Sequence, residues 1–211
     1  MNHHRYIYDK GKFIRDFDTM YSNIDDPHGQ KASSSNLSHK LYIKILQEII
    51  ANNKGNKWYD FGCGLGYFTK VISKYFEKVS VTGIDISESA INKINNDNFK
   101  CGDVLNKNFI SKLDKSDTIS FFESLYYFNE DEIPIVKENV DQLLKNDGHL
   151  IATYHLPVDM NYGRYITSLN DLKEFFRDYK LVYGSDFTDN HSKNYDGNYF
   201  GRHLFAIFQK I

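Results

Sequence analysis

The sequence has few cysteines and prolines, and it contains no recognisable metal-binding pattern. Its 211 residues include two cysteines, three prolines and eight histidines. Cys63 and Cys101 form no C-x-x-C pair, and the histidines show no H-E-x-x-H or comparable spacing. We therefore expect no metal site, and we interpret both cysteines as small buried residues in a reducing compartment.

The chain also lacks a long apolar run and a strong charge of either sign. It has no run of 18 apolar residues and no signal-peptide pattern, so we expect a soluble, cytoplasmic protein without a membrane partner. A net charge of −2 provides no basic field that would attract nucleic acid. With 41% hydrophobic residues, a chain of 211 residues is expected to form one domain with a full core.

What the chain does contain is a glycine-rich turn directly after an apolar strand. Gly62, Gly64 and Gly66 follow the strand that ends at Asp60, and a helical pattern begins at once. Glycine permits positive φ and lets a ligand approach the backbone, and the first N–H groups of a helix favour a polar or anionic ligand. A dinucleotide loop reads G-x-G-x-x-G, but Tyr67 occupies the place of its third glycine. The spacing therefore argues against a nicotinamide dinucleotide.

Acidic residues end four successive strands of the predicted sheet. Asp60 precedes the glycines, Asp85 ends the next apolar run, and Asp103 and Glu123 follow the third and fourth strands. An acid about 20 residues beyond the glycines can bind ribose hydroxyls. Asp85 therefore indicates an adenosine-containing ligand without deciding which one.

The D-x-G-x-G-x-G arrangement resembles motif I of the class I S-adenosylmethionine (SAM) methyltransferases. The resemblance implies SAM as cofactor and S-adenosylhomocysteine as product. It also implies an α/β, Rossmann-like fold with a seven-stranded, mostly parallel sheet of order 3-2-1-4-5-7-6, an antiparallel last strand, helices on both faces and an N-terminal helical lid. The residues it implies at the cofactor are Asp60, Gly62, Gly64, Gly66, Asp85, Ile86, Asp103, Val104, Phe122 and Tyr21.

The segment from Glu123 to Tyr127 most resembles small-molecule methyltransferases, including the NodS-like group that N-methylates an amino-sugar oligosaccharide. This likeness implies transfer to an O or N atom of a small molecule, such as a sugar, a sugar nucleotide or a surface-polysaccharide precursor. His155 and Glu123 are the candidate catalytic residues, since a histidine suits proton removal at neutral pH. The candidate substrate-binding residues are Tyr126, Tyr127, Arg164 and His28.

Three alternative functions stay open at this point. The first is a nucleic-acid or protein methyltransferase, although amino-methylating DNA and RNA enzymes of this fold usually carry Asn/Asp-Pro-Pro-Tyr where this chain has Glu123–Tyr126. The second is a nicotinamide-dependent oxidoreductase, and the third is a non-catalytic SAM-binding protein. The identity of the acceptor and the oligomeric state are not predicted.

Residues 1–211 are interpreted as a single domain with three parts. Residues 1–55 would form N-terminal helices and a lid, residues 56–155 the SAM-binding core, and residues 156–211 an acceptor-side insert and a C-terminal hairpin. The polar residues 189–198 would join the two strands of that hairpin.

Hydrophobic periodicity and capping residues place the helices. One amphipathic helix is expected from Phe13 to Ile24, with a loop over residues 25–36. After the fourth strand, Asn129 can cap a helix that contains Pro134, and Gly148 suits the position after its end.

Overall fold

The computed structural model describes residues 3–10, 12–50, 57–156, 165–193 and 199–211. The strands, in chain order, are β1 Tyr8–Asp9, β2 Lys12–Phe13, β3 Lys57–Phe61, β4 Ser80–Asp85, β5 Phe99–Cys101, β6 Ser116–Phe122, β7 Leu144–Leu156, β8 Tyr179–Lys193 and β9 Tyr199–Lys210. The helices are α1 His4–Ile7, α2 Phe17–Asn23, α3 Gln30–Ser33, α4 Leu37–Ile50, α5 Tyr67–Tyr75, α6 Glu88–Ile94, α7 Lys107–Ile110, α8 Ile133–Leu143 and α9 Leu169–Phe175. A 3-10 turn spans Leu125–Tyr127. Within these ranges, no helix has the length and apolar character needed to cross a bilayer.

Strands β3 to β9 form one sheet in the order β5-β4-β3-β6-β7-β9-β8. The pairs from β5 to β7 are parallel, whereas β9 runs antiparallel to both β7 and β8. This confirms the Rossmann-like strand order and the antiparallel last strand. The chain reverses its direction of winding between β3 and β6, so the carboxyl ends of these strands border the crevice where ligands bind in such sheets.

Each face of the sheet carries its own apolar cluster. On one face, Trp58 and Phe205 pack with Tyr42 of α4, and all three are buried. On the other face, Tyr154 and Phe208 pack with residues of α8 and α9. Burial on both faces is the usual requirement of a parallel sheet, and it leaves the carboxyl edge as the place for polar side chains.

The N-terminal helix begins later than its periodicity predicts. Helix α2 starts at Phe17 because Asp16 caps it, with the Asp16 carboxylate accepting from the Thr19 N–H. Phe13 lies outside the helix, in the short strand pair with Tyr8. Phe13 fits the apolar spacing of the helix, which explains the prediction, but the Asp16 cap fixes the start of the helix at Phe17.

The predicted loop over residues 25–36 contains the short helix α3. The Asp26 carboxylate accepts hydrogen bonds from the backbone N–H groups of Gln30 and Lys31, which closes a turn over Gly29. Gly29 has a φ of 61°, a conformation that favours glycine. The loop prediction was therefore wrong for residues 30–33.

Both predicted ends of helix α8 were wrong, although its apolar face was correct. Glu132, not Asn129, occupies the N-cap position, and the Asn129 N–H donates to the Glu132 carboxylate. At the other end the chain passes directly into β7 because Leu144 pairs with Ser116. Gly148 therefore lies inside a strand rather than after a helix.

Two further expectations are corrected at the edges of the sheet. The strand pair β8–β9 extends into the predicted loop, since Lys193 pairs with Tyr199. Cys63 is buried as expected, but Cys101 is exposed. Cys101 ends β5, which is the outermost strand, so no further strand covers that side.

Candidate active site

The glycine turn has the backbone conformation that its sequence predicts. Gly62, Gly64 and Gly66 have φ values of 74°, 55° and 69°. A methyl group at Gly62 would lie 2.5 Å from the Ser124 Cβ, which is closer than side-chain carbons approach. The turn therefore requires glycine for conformation and for its contact with the segment after β6.

Asp60, which precedes this turn, is buried and hydrogen-bonded to other parts of the fold. Its carboxylate accepts hydrogen bonds from the hydroxyls of Thr69 on α5 and Ser120 on β6, and Ser120 in turn accepts from the Trp58 indole N–H. Burial raises the pKa of Asp60 to about 6, against the opposing effect of these two hydroxyls. Asp60 thus holds the strand–turn–helix junction together, and its role at the cofactor stays a prediction.

Asp85 bridges the glycine turn and the start of α6. One carboxylate oxygen accepts from the Gly64 N–H at 2.7 Å and the other from the Ser87 N–H at 2.9 Å. Burial raises the pKa of Asp85 above its usual range. The next side chain, Ile86, is 50% exposed. An acid beside an exposed apolar side chain fits the ribose and the flat apolar face of an adenosine, respectively.

The remaining predicted cofactor residues lie along the same edge. The Asp103 carboxylate accepts from the Leu105 N–H at 2.8 Å and so closes its own turn. Val104 is buried, and its carbonyl accepts from the Asn139 side chain. Phe122 packs edge-on against Phe68, with 4.6 Å between ring centroids. Their roles at the cofactor stay predictions.

The N-terminal segment folds over the glycine turn. Gln30 accepts from the Leu65 N–H through its Oε1 at 2.7 Å and donates from its Nε2 to the Cys63 carbonyl at 3.3 Å. Tyr21 is buried, and a methyl group at Gly64 would lie 2.6 Å from its Oη. The structure therefore brings Tyr21 to the turn, and it adds Gln30, which the sequence placed in a featureless loop.

The predicted substrate residues separate into two environments. Tyr127 and His28 lie together, with 3.5 Å between the Tyr127 Oη and the His28 Nδ1, and burial lowers the pKa of His28 to about 3. Tyr126 instead packs in the core, 5.3 Å from the Tyr154 ring. Arg164 lies outside the described residues.

Glu123 directly follows β6 and has an unusual conformation. Its φ of 52° lies in the left-handed region, and its backbone N–H donates to the Thr153 hydroxyl. The side chain is 24% exposed, but its Oε1 is buried without a hydrogen-bond partner, 3.6 Å from the His203 Nδ1. Burial would raise the pKa of Glu123, but the neighbouring imidazole of His203, with those of His39 and His155, lowers it to about 2. The Glu123 carboxylate is therefore ionised near neutral pH, and its catalytic role stays a prediction.

His155 lies beside Glu123 as part of a histidine cluster. His155 on β7 pairs with His203 on β9, and their rings stack with centroids 4.7 Å apart. His39 on α4 reaches the same region, and Tyr42 places its Oη 3.2 Å from the His203 Nδ1. Among the described residues, no set of three His, Cys, Asp or Glu side chains could hold a metal ion.

His39 and His203 were missed in the sequence. Each is a single histidine in an otherwise ordinary helix or strand, without a motif around it. The only available signal was the spacing of His203, Phe205 and Ile207, which places them on one face of the last strand. That spacing does not predict which residue of the neighbouring strand pairs with His203.

The chain matches a known family over most of its length. The family described as "Methyltransferase domain" matches residues 35–200. Malonyl-[acyl-carrier protein] O-methyltransferase from Bacillus cereus is 32% identical over 74 residues, which cover 32% of this chain. That match spans only 27% of the relative's own length.

Solved structures with the same fold have much lower identity. TehB from Haemophilus influenzae is 17% identical, with a TM-score of 0.65 over 86% of this chain and 67% of its own. The N-methyltransferase NodS from Bradyrhizobium japonicum WM9 is also 17% identical, with a TM-score of 0.62 over 84% of this chain and 98% of its own. Similarity at this level describes the fold alone.

Proposed function

The chain belongs to the methyltransferase family, whose cofactor is SAM, and we propose that it transfers a methyl group from SAM to a nitrogen or oxygen atom of a small molecule. The single observation that carries the choice of acceptor is the polar cluster around Glu123. This cluster adjoins the glycine turn because Ser124, the next residue, contacts Gly62. The methyl donor and the methyl acceptor would therefore meet at one edge of the sheet.

The residues at this edge fit the cofactor. Asp85 and Ile86 would hold the adenosine, and the backbone of the glycine turn, with Tyr21 and Gln30, would surround the amino-acid end. When bound, SAM supplies a methyl group on a positively charged sulfur that leaves as a neutral thioether. The protein's own contribution is to align the acceptor and to exclude water, and orientation alone can be worth about 7–11 kcal/mol.

A small acceptor suits the closed arrangement of the N-terminal segment. Gln30 fastens α3 to the glycine turn, and Arg15 forms a two-pronged ion pair with Glu132 after β6. These contacts tie the segment before α4 to both sides of the candidate site. A covered site admits a small molecule more easily than a nucleic-acid duplex or a folded protein.

Sugars and sugar nucleotides are the first acceptors to test. NodS is named as an N-methyltransferase, which supports a nitrogen acceptor. The malonyl-carrier methyltransferase is named as an O-methyltransferase, but an ionised Glu123 would repel an anionic group such as a carboxylate in this site. Neutral and cationic acceptors are therefore favoured over acidic ones.

A methyl-transfer screen tests this proposal. The protein is incubated with SAM carrying a labelled methyl group and with separate panels of sugars, sugar nucleotides, amines and alcohols, and with RNA, DNA and protein. We expect label in at least one small-molecule panel, and none with a Gly64→Val variant. Transfer only to a macromolecule would overturn the small-molecule assignment. Binding of SAM without transfer to any panel would indicate a non-catalytic protein.

A further inference from the structure

Glu123 stands directly after β6 with a backbone conformation that side chains seldom adopt. Its φ of 52° lies in the left-handed region, where a residue other than glycine is strained. Contacts with β7 hold it there, because its N–H lies 2.9 Å from the Thr153 hydroxyl and 3.3 Å from the Thr153 carbonyl oxygen. Strained residues cluster at functional sites, so this conformation indicates that the direction of the Glu123 side chain serves a function.

The two oxygens of the Glu123 carboxylate have different surroundings. Within the part of the chain that the structure describes, Oε1 is buried and has no hydrogen-bond partner, although a buried polar atom normally has one. The side chain nevertheless keeps 24% of its surface exposed. Because Oε1 contributes almost none of that surface, Oε2 is the oxygen left to face a ligand. The next residue, Ser124, packs against Gly62, which places the carboxylate beside the glycine turn.

His203 is the imidazole beside the buried oxygen. Its Nδ1 lies 3.6 Å from the Glu123 Oε1 and 3.2 Å from the Tyr42 Oη, so both oxygens lie on the same edge of the ring. A distance of 3.6 Å is slightly too long for a hydrogen bond. Such bonds are often long in unliganded active sites and shorten when the ligand binds. A small movement of the carboxylate toward Nδ1 would therefore satisfy Oε1.

The ring of His203 is held between two other rings. His155 and Phe187 are its partners on the neighbouring strands, and because β9 lies between β7 and β8, they stand on opposite sides of it. The His155 ring stacks at 4.7 Å with an angle of 12°, and the Phe187 ring stacks at 5.4 Å with an angle of 19°. His203 is thus fixed in position, and the partly exposed Glu123 is the freer of the two.

The other ring nitrogen of His203 is enclosed by the fold. A methyl group at Gly201 would lie 2.5 Å from the Nε2 atoms of both His203 and His155. The space between these nitrogens and Gly201 is therefore smaller than a methyl group, which explains the glycine and leaves no place for a substrate there. His203 can act on an acceptor only from its Nδ1 edge, through the Glu123 carboxylate.

We propose that His203 and Tyr42 are positioning residues: the Nδ1–H group of His203 binds the Glu123 Oε1, and Oε2 then accepts a hydrogen bond from the N–H or O–H group that is methylated. This rests on the proposed function. A carboxylate held through one oxygen fixes the hydrogen of the acceptor and so directs its lone pair to the methyl carbon. The acceptor atom bonds to that carbon while the carbon–sulfur bond breaks and leaves its electron pair on sulfur, and the released proton passes to water.

The first test determines which nitrogen of His203 carries hydrogen, and it does not depend on turnover. Long-range ¹H–¹⁵N spectra are recorded on protein with ¹⁵N-labelled histidine, saturated with S-adenosylhomocysteine, and His203→Phe identifies the signals by their loss. We expect hydrogen on Nδ1, and we expect Glu123→Ala to shift the Nδ1 resonance more than the Nε2 resonance. A hydrogen on Nε2 alone, or an Nδ1 resonance that Glu123→Ala leaves unchanged, would overturn the proposal.

The second test compares three substitutions of His203 with the best acceptor from the screen. Asparagine places an amide nitrogen near the position of Nδ1, glutamine places one near Nε2, and phenylalanine keeps only the stacked ring. We expect His203→Asn to keep kcat within about fivefold of wild type. His203→Gln and His203→Phe should lower it by about 10-fold to 10²-fold, the effect of one hydrogen bond to a charged group. A purely structural role would instead favour phenylalanine, and that order would overturn the proposal.

A double-mutant cycle tests whether His203 acts through Glu123. If it does, His203→Phe combined with Glu123→Ala should lower kcat no further than Glu123→Ala alone, with S-adenosylhomocysteine affinity within about threefold of wild type throughout. Independent, multiplied effects on kcat would contradict the proposal. Tyr42→Phe should lower kcat by about threefold to tenfold, since it removes one contact to Nδ1. The matched control is Tyr59→Phe, a buried tyrosine of β3, which should retain the wild-type kcat.

The outcomes separate this inference from the function on which it rests. No transfer by the wild-type protein to any panel of the screen would refute the proposed function. Transfer by the wild-type protein that His203→Phe leaves within about threefold would retain the proposed function and overturn the positioning role alone.

Discussion

Asp60 and Glu123 stand at the carboxyl ends of neighbouring strands, yet their surroundings change their pKa values in opposite directions. The Asp60 carboxylate accepts side-chain hydrogen bonds from two hydroxyl groups, and burial raises its pKa to about 6. Glu123 is also buried in part, but imidazoles lower its pKa to about 2. The first acid is satisfied within the fold, whereas the second retains charge and an unpaired oxygen.

This difference separates the edge of the sheet into two halves. The donor half, assigned to the methyl donor, consists of the glycine turn, Asp60 and Asp85, and both acids accept hydrogen bonds from neighbouring parts of the fold. The acceptor half, around Glu123, is assembled from segments far apart in the chain and is left partly unsatisfied. In the proposed function, cofactor binding belongs to the first half and the methyl acceptor to the second.

The largest expected effect comes from blocking the donor half at Gly64. In Gly64→Val, a branched side chain at a φ of 55° would collide with Gln30 and Tyr21. We expect no measurable binding of S-adenosylhomocysteine by calorimetric titration, while thermal unfolding remains cooperative. Cys63→Ala, in the same turn, is the control and should retain affinity to within about threefold. Undiminished affinity in Gly64→Val would contradict the cofactor assignment.

The opposite pKa shifts predict opposite effects of pH on stability. The contribution of Asp60 is fully present below its unfolded value of 3.8 and is lost as the pH rises through about 6, because the folded state favours its protonated form. The contribution of Glu123 is present above 4.5 and is lost as the pH falls through about 2. A shift of two pKa units corresponds to about 3 kcal/mol.

Urea unfolding of two matched amide variants checks these signs. The difference in unfolding free energy between wild type and Asp60→Asn should fall as the pH rises from 4 to 6. The difference between wild type and Glu123→Gln should instead rise with pH over the acidic range. If the difference in unfolding free energy changed with pH in the same direction for both variants, the two carboxylates would have equivalent environments. That result would contradict the opposite pKa shifts.

A smaller effect is expected from the contact that joins the N-terminal segment to the donor half. Gln30→Ala removes the acceptor of the Leu65 N–H and the donor to the Cys63 carbonyl. We expect about a tenfold loss of S-adenosylhomocysteine affinity, since one or two neutral hydrogen bonds contribute about 1 kcal/mol. Gln47→Ala on α4 serves as the control. A higher affinity in Gln30→Ala would show that Gln30 competes with the cofactor for these backbone groups.

The smallest effect is expected from the ion pair between Arg15 and Glu132. Arg15→Lys retains the charge but loses the two-pronged geometry, so it should reduce the free energy of unfolding by about 1 kcal/mol or less. Arg177→Lys, in an exposed pair with Glu174, should change it by less than about 0.5 kcal/mol. If urea unfolding gave the same loss of unfolding free energy for both variants, the Arg15–Glu132 pair would stabilise the fold no more than an exposed ion pair does.

The sequence predicts the two halves unequally. Asp60 and Gly62 are predictable because their order and spacing along one strand–turn–helix unit carry the information, and Asp85 is predictable because it ends the next apolar strand. His203 reaches Glu123 only through the register of β9 against β7, and a slip of one residue would turn it to the other face. Gln30 depends in the same way on how α3 folds back, so tertiary structure, rather than local pattern, determines both positions.

The most direct test of the division into halves compares Asp85→Asn with Glu123→Gln. For each variant, S-adenosylhomocysteine affinity is measured by calorimetry and methyl transfer is measured with the best acceptor of the screen. We predict that Asp85→Asn lowers affinity by about 10²-fold, whereas Glu123→Gln retains affinity within about threefold and lowers turnover by about 10²-fold. Loss of affinity in Glu123→Gln, or full turnover in that variant, would contradict the separation of donor and acceptor roles.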